Sequence, residues 1–233
     1  MTIIRIVDFE TTGTEPPAQV CEVGVCDLYL EEKTIAAPKS WLCGVKEMPP
    51  EVRAIHHISL ADCENRPPFL QLDIFSEPFC DAIAAHNSGF ELKFFDLSAF
   101  IPPVICTYKS ALRIWPDAPS HSNGALRYWL EDQGKIKPDH ALTMPSHRAA
   151  PDAYVTAHIL LALFESGATG KEMVAWTKEP ALLPRCPLGK FKGKLWSQVD
   201  SGFLGWMLNQ PSMEADLKWN AQREINRRTD NSA

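Results

Sequence analysis

The sequence lacks any apolar run close to the ~20 residues that a membrane-spanning helix needs, so it does not predict a membrane protein or a membrane partner. Its first ten residues, MTIIRIVDFE, have neither a secretory signal nor a transit-peptide pattern. Internal repeats and low-complexity tracts are also missing, so no repeat architecture is indicated. We therefore expect a cytoplasmic protein of ordinary globular composition.

Closely spaced cysteines are missing too. None of the seven cysteines forms the CxxC pair of a zinc knuckle or redox site, and their odd number does not suggest a disulfide framework. Most lie among apolar residues, where a free thiol packs as a small hydrophobic group. Free cysteines of this kind indicate a protein that folds and works in a reducing compartment.

The chain also lacks an excess of positive charge. Its net charge is −6, which argues against a tight, extended grip on nucleic acid, since phosphate contacts dominate such binding. The charge is unevenly distributed. Residues 180–233 contain eight Lys and Arg against five acids, a balance of +3, and the first 179 residues carry −9. This asymmetry predicts an acidic catalytic body, residues 1–178, and a small basic C-terminal module, residues 179–233.

The hydrophobic pattern predicts an α/β domain in which a mixed sheet is flanked by helices. Strands come first, and short strands then alternate with helices. Predicted strands cover 3–7, 20–30, 34–41, 83–85 and 104–106. Predicted helices cover 50–56, 89–99, 107–114, 122–133, 150–166 and, in the tail, 213–228.

Two carboxylates, Asp8 and Glu10, end the first predicted strand. Residues i and i+2 of a strand point to the same side, so these like charges repel each other unless cations neutralise them. Magnesium prefers such oxygen ligands. Phe9, which lies between them, points the opposite way and is as well suited to the core as to a substrate pocket.

Two later segments carry further chemistry. Glu91 follows a short strand and His86-Asn87, one turn into the predicted helix. His147 precedes the clearest predicted helix, and Asp152 lies in that helix's first turn, where the helix dipole favours negative charge.

Together these motifs resemble the DEDDh 3′→5′ exonucleases of the proofreading superfamily, which have a ribonuclease H-like fold with a five-stranded mixed sheet. The likeness covers roughly residues 3–167. The segments Cys106-Thr107-Tyr108-Lys109, Ser122-Asn123-Gly124 and Leu188-Gly189-Lys190 further resemble the exodeoxyribonuclease X family. The chain departs from the second motif at one position, where Glu91 replaces the usual Asp. We expect retained activity, and the longer side chain could change the metal preference.

The resemblance implies a two-metal mechanism that uses Mg²⁺, with Mn²⁺ able to substitute. Asp8 would bridge both ions, Glu10 and Asp152 would complete the first site, and Glu91 would serve the second. His147 would take a proton from the attacking water, since an imidazole with a pKa near ~6.5 suits a general base. The substrate would be the 3′ end of DNA, single-stranded or frayed, and the product a nucleoside 5′-monophosphate.

Further substrate contacts are predicted around this centre and in the tail. Thr11, Thr12 and His86 could line the terminal-nucleotide pocket, as could Asn87, which could equally cap a helix. In the tail, the alternation of Lys190, Lys192 and Lys194 predicts an extended stretch with one basic face for phosphates. A solvated loop remains the alternative for this stretch.

Other functions stay open at this stage. An exoribonuclease would differ in its contacts to the 2′-hydroxyl, which no motif reveals. A non-catalytic nucleic-acid-binding protein would retain the fold without the reaction, although the intact set of acids argues against it. A hydrolase of free nucleotides is disfavoured by the basic tail.

Overall fold

The computed structural model describes residues 1–74, 79–95 and 102–230. Within these ranges six strands and seven α-helices are present. The strands are β1 (Ile3–Thr11), β2 (Val20–Tyr29), β3 (Thr34–Ile35), β4 (Lys39–Leu42), β5 (Ala82–Ala85) and β6 (Val104–Cys106). The helices are α1 (Pro50–His56), α2 (Thr107–Ile114), α3 (Asn123–Asp132), α4 (Ala149–Glu165), α5 (Gly170–Lys178), α6 (Ser201–Asn209) and α7 (Ala215–Asp230).

The strands form one mixed sheet in the order β3-β2-β1-β5-β6, and β4 pairs with the other end of β2. β1 runs antiparallel to β2 and parallel to β5, which is in turn parallel to β6. The predicted third strand is divided into β3 and β4, both antiparallel to β2. The predicted α/β class with a mixed sheet is therefore confirmed.

The two faces of β1 contribute to different cores. Ile4 and Ile6 pack with residues of α2, α3 and α4. Val7 and Phe9 belong to a second cluster on the opposite face. Because side chains alternate along a strand, every even-numbered residue of β1, including Asp8 and Glu10, faces the side that α4 covers.

The predicted helix over residues 89–99 is wrong as far as the structure describes it. Residues 86–90 form turns, and one 3₁₀ turn follows at Glu91–Lys93. Asn87 has a left-handed backbone (φ 70°), and Gly89 disfavours a helix. Residues 96–99 of that prediction lie outside the described ranges.

The C-terminal residues have a hydrophobic cluster of their own. Trp196, Leu204 and Met207 pack there with residues of α7, and all members of this cluster lie between residues 183 and 225. The segment is joined to the body through α5 and α2, where Lys109 Nζ donates to the backbone oxygens of Thr177 and Glu179 at 2.9 and 2.7 Å. None of the described helices has both the length and the apolar character needed to cross a bilayer.

Candidate active site

The closest packing of the site occurs where α4 begins over β2. Gly24 is paired with Asp8 across the sheet, and a Cβ at Gly24 would overlap the backbone carbonyl of Ala149. The absence of a side chain therefore allows the first turn of α4 to lie directly against the strand. This approach places Asp152, in that first turn, beside the carboxylates of β1.

Three carboxylates converge at this point. One oxygen from each of Asp8, Glu10 and Asp152 lies within 4.8 Å of the other two. The structure thus brings together residues that are 142 to 144 positions apart in the chain. Asp8 and Glu10 lie on one side of β1, as the strand period predicted.

Burial and mutual repulsion raise the pKa values of these three carboxylates. Burial, and then repulsion from Asp152, Glu91, Glu10 and Glu22, raises the pKa of Asp8 well above its ordinary value. Burial and the charge of Asp152 raise the pKa of Glu10 to about 8. Burial likewise raises the pKa of Asp152, although the His147 amide opposes the effect. In the absence of cations, the folded protein therefore retains protons on this cluster at neutral pH.

Glu91 enters the region from the 3₁₀ turn that follows β5. Its side chain is buried, burial raises its pKa to about 8, and its charge acts on Asp8. Its carboxylate lies outside the set of three oxygens within 4.8 Å. Oε2 of Glu91 has no hydrogen-bond partner among the described residues, although it is buried. A buried oxygen without a partner is unfavourable by itself and is consistent with a ligand atom for a cation.

Glu22 and Arg148 complete the site, and a role for neither residue was predicted from the sequence. Glu22 is opposite Glu10 across β1 and β2 and is buried. It accepts two hydrogen bonds from the Arg148 guanidinium at 2.8 Å and one from the Ala149 amide at 3.1 Å. Burial alone would raise the pKa of Glu22, but these bonds hold it below its ordinary value. The pair fixes the start of α4 to the sheet.

His147 lies on the surface immediately before α4. Its backbone is left-handed (φ 58°), and its amide donates to Oδ2 of Asp152 at 3.0 Å. The side chain is exposed. The structure therefore places an accessible imidazole beside the acidic cluster, and it is the backbone N–H of the same residue that orients Asp152.

The predicted pocket residues have different environments. The Phe9 ring is buried on the opposite face of β1, 4.8 Å from the Phe69 ring centroid, so it belongs to the core and does not reach the carboxylates. Thr11 donates its hydroxyl to the Gly13 carbonyl at 2.7 Å, and the Thr12 hydroxyl accepts from the Gln19 amide at 3.0 Å. Both threonines thus close the turn that follows β1.

His86 is held by two hydrogen bonds. Its Nε2 lies 2.8 Å from the backbone oxygen of His121, and its Nδ1 lies 2.9 Å from the Thr107 hydroxyl. A carbonyl only accepts, so Nε2 carries the proton and Nδ1 accepts. Burial lowers the pKa of His86 to about 4. The neutral ring therefore serves the fold, whereas the adjacent Asn87 is exposed at the edge of a cavity of about 780 Å³.

The prediction of an extended lysine stretch is wrong. Gly189–Phe191 form a 3₁₀ turn, and Gly189 and Gly193 have positive φ angles of 53° and 81°. The segment therefore coils, and Lys190, Lys192 and Lys194 do not alternate along a strand. Nζ of Lys190 lies 3.3 Å from Oδ2 of Asp200 in the tail.

These donors fit a divalent cation. Carboxylate oxygens are the ligands that hard cations such as Mg²⁺ prefer, and burying several of them together is unfavourable without positive charge. The cluster of Asp8, Glu10 and Asp152 supplies three such groups, and the unpartnered oxygen of Glu91 supplies a fourth nearby.

The raised pKa values predict that the cation-free protein loses stability as the pH rises. Glu10 and Glu91 keep their protons in the folded state up to a pH of about 8, but the unfolded chain releases them at a pH of about 4.3. Between pH 6.5 and 8.5 the folded state therefore binds more protons, and its free energy of unfolding falls. We expect a loss on the order of 2 kcal/mol for each of the two groups, measured by denaturant unfolding in EDTA.

The double substitution of Glu10→Gln with Glu91→Gln is the control for this pH dependence, since it should flatten the slope over the same interval. Histidines with lowered pKa values, such as His86 and His158, change the stability of the protein mainly below pH 6.5. Divalent cations displace the protons, so the stabilisation they provide should grow with pH. Constant stability of the wild-type chain in EDTA would contradict the acidic-cluster interpretation.

Comparison with known proteins identifies the family to which this chain is similar. The sequence profile described as Exonuclease (RNase_T) matches residues 6–160. Exodeoxyribonuclease 10 of Escherichia coli strain K12 is 30% identical over 226 residues, which cover 93% of this chain and 96% of that protein. The family depends on divalent metal, in agreement with the acidic cluster.

Solved structures agree with the fold. A structure of exonuclease X in complex with 5′ overhanging duplex DNA has a TM-score of 0.62 and 28% identity, and the match covers 75% of this chain and 99% of that one. The nuclease domain of 3′hExo, a DEDDh family member bound to rAMP, has a TM-score of 0.54 at 19% identity, covering 71% of this chain and 92% of its own. The second likeness concerns the fold alone. The family profile, the relative at 30% identity and the converging carboxylates agree with one another. The chain therefore belongs to the exonuclease family.

Proposed function

We propose that this exonuclease hydrolyses DNA from the 3′ end and releases nucleoside 5′-monophosphates, with Mg²⁺ as its metal. The observation that carries the proposal is the convergence of Asp8, Glu10 and Asp152 within 4.8 Å at the end of β1. The relative at 30% identity is named as an exodeoxyribonuclease, and the matched structure of exonuclease X contains DNA. Both favour DNA over RNA as the substrate.

The acidic residues have the role of holding cations. Asp8 is central, because its carboxylate is affected by the charges of the other acids. Glu10 and Asp152 would complete one site, and Glu91, whose charge acts on Asp8, would be a ligand for a second ion. When bound, the two ions supply positive charge that activates a water molecule and stabilises the leaving oxygen of the phosphodiester.

His147 has the role of the general base. Its imidazole is exposed beside Asp152, so the attacking water can reach it, and a neutral imidazole nitrogen accepts the water proton as the oxygen approaches phosphorus. The His147 amide simultaneously donates to Asp152. One residue thus orients a metal ligand through its backbone and moves a proton through its side chain.

The terminal nucleotide would be held by residues around the carboxylates. The turn closed by Thr11 and Thr12 follows β1 directly and presents backbone groups beside Glu10. Asn87 is exposed at the end of β5, close in sequence to Glu91, and its amide can donate to a phosphate or base. His86 supports Asn87 by fixing the local backbone rather than by touching the substrate.

The reaction is tested with a DNA strand labelled at either end. We expect the 3′-labelled strand to release labelled mononucleotide at once and the 5′-labelled strand to shorten stepwise, with EDTA stopping both and Mg²⁺ restoring them. An RNA strand of the same sequence, free nucleotides, and Mn²⁺ or Ca²⁺ in place of Mg²⁺ complete the set. Faster turnover of RNA would reverse the substrate assignment, and cleavage that persists in EDTA would exclude the metal mechanism.

We also propose that residues 1–178 form the exonuclease domain and residues 179–233 a separate C-terminal module. Helix α5 ends at Lys178, and the tail's hydrophobic cluster lies wholly beyond that point. This division supports a distinct role for the tail.

A further inference from the structure

Three aromatic rings form a continuous row in the C-terminal module. The ring centroids of Phe191 and Phe203 are 5.1 Å apart, and those of Phe203 and Trp206 are also 5.1 Å apart. Phe203 and Trp206 are three residues apart on α6 and so share one face of that helix. Phe191 and Phe203 are partly buried against the tail's hydrophobic cluster, whereas Trp206 is 48% exposed. The row, Phe191-Phe203-Trp206, therefore has an anchored end and a solvent-facing end.

Three lysines lie in the turn that carries Phe191, at the anchored end of the row. Nζ of Lys190 lies 4.9 Å from the centroid of the Phe191 ring, and Lys192 and Lys194 are exposed in the same coiled turn. Asp200 partly neutralises Lys190 at 3.3 Å. Among the residues that the structure describes, neither Lys192 nor Lys194 takes part in an ion pair. Lys192 and Lys194 therefore add positive charge to this turn that no ion pair within the described residues neutralises.

A cavity lies between the end of β5 and the tail. It has a volume of about 780 Å³ and is lined on one side by His86 and Asn87, at the end of β5, and on the other by Pro184 and Arg185 of the tail. The Arg185 guanidinium donates to the backbone oxygen of Gly193 at 3.2 Å. Arg185 therefore joins the wall of the cavity to the turn that carries the lysines.

We propose that the aromatic row and its lysines bind single-stranded nucleic acid upstream of the 3′ terminus. The inference rests on the proposed function for the position of that terminus at the carboxylates. An indole with an exposed surface stacks on any unpaired base, and flanking ammonium groups contact phosphates, which is how sequence-independent single-strand sites are built. The charges agree, because the tail is +3 and the body is −9, so a polyanion is attracted to the tail. A protein partner fits less well, because the row carries lysines at its anchored end and is not part of a broad apolar face.

The test is the affinity of oligothymidylates of 4 and 20 nucleotides, measured by fluorescence anisotropy in Ca²⁺ and, for turnover, in Mg²⁺. Replacing Trp206 by alanine should weaken binding of the 20-mer about 10-fold, within the range for loss of one stacked base. Binding and turnover of the 4-mer should stay unchanged if, as we propose, a short strand occupies the carboxylate site alone. Trp206→Phe, which keeps an aromatic surface, should recover most of the affinity.

The lysines are tested through the salt dependence of binding. The double substitution of Lys192→Gln with Lys194→Gln should reduce the slope of log Kd against log salt concentration by about 1.4, since each phosphate contact to a single strand contributes about 0.7. Matched controls are Trp41→Ala, on an exposed tryptophan of the body, and the pair Lys46→Gln with Lys137→Gln, on exposed lysines outside the tail. These controls should bind the 20-mer as the wild type does.

Two results would overturn the proposal. One is wild-type affinity for the 20-mer in both tail variants, which would leave a protein partner as the occupant of the surface. The other is an equal loss for the 4-mer and the 20-mer, which would indicate general damage to the fold. Failure of this proposal can be distinguished from failure of the proposed function. If the protein bound the 20-mer through Trp206 but hydrolysed no DNA, the binding surface would be supported and the proposed DNA hydrolysis would be refuted.

Discussion

Replacing Asp8 by asparagine is expected to lower the rate of nucleotide release by at least about 10³-fold, because the substitution removes the central charge that holds the cations. Asparagine has the same shape and keeps one carbonyl oxygen, so the side chain still fits at its place on β1. The remaining amide oxygen is a weaker ligand than a carboxylate. The rate is measured as mononucleotide release from 3′-labelled DNA at saturating Mg²⁺.

The same substitution is expected to stabilise the protein when no metal is present. Burial raises the pKa of Asp8. The charges of the neighbouring acids raise it further; these acids are Asp152, Glu91, Glu10 and Glu22. Removing one member of such a group relieves repulsion. In EDTA at pH 8 the variant should therefore unfold at a higher temperature than the wild type, and added Mg²⁺ should stabilise it little.

This combination separates loss of the site from loss of the fold. Asp132→Asn, an exposed change of acid to amide at the end of α3, is the matched control and should leave both activity and metal-dependent stability unchanged. Wild-type turnover in the Asp8 variant would refute the assignment of this cluster as the metal centre. A lower unfolding temperature in EDTA would refute the claim that repulsion dominates there.

The part of the site that depends on local periodicity was predictable from the sequence. The alternation of side chains along a strand placed Asp8 and Glu10 on one side, and the helical pattern after residue 149 placed Asp152 in a first turn. The structure confirms both expectations. Phe9 follows the same rule, and its burial on the opposite face is the outcome that the alternation favoured.

The support of the site was not predicted, because it depends on pairing between distant segments. Glu22 is 126 positions from Arg148, and its carboxylate is bonded to that guanidinium in the buried layer. A signal was present: a glutamate within the apolar run Val20–Tyr29 needs a buried partner. Gly24 was equally unremarkable in sequence, since only the crossing of α4 over β2 shows why no side chain fits there.

The tail shows how a local pattern can mislead. Alternating lysines predicted an extended stretch, but Gly189 and Gly193 adopt left-handed angles that coil the chain. Glycine adopts such angles at little cost. The two glycines, rather than the alternation of lysines, therefore determine the backbone conformation of this segment. The resulting turn places Lys190 over the ring of Phe191, although the strand would have separated them.

Replacing His147 by asparagine is expected to reduce turnover by about 10²- to 10⁴-fold, the usual contribution of a general base. Asparagine tolerates the left-handed backbone that His147 adopts (φ 58°), so the loop should keep its shape. The backbone N–H would still donate to Asp152. Metal binding should therefore persist, and the stabilisation by Mg²⁺ should stay close to that of the wild type.

His57 provides a matched control for this last substitution. It is also exposed and also left-handed (φ 60°), but it follows α1 rather than preceding α4. His57→Asn thus changes the same chemical group in the same backbone conformation, and it should leave turnover unchanged. Turnover of the His147 variant equal to that of the wild type would exclude the imidazole as the base. A joint loss of turnover and of Mg²⁺-dependent stability would assign His147 to the support of Asp152 instead, because a base that only moves a proton contributes nothing to metal affinity.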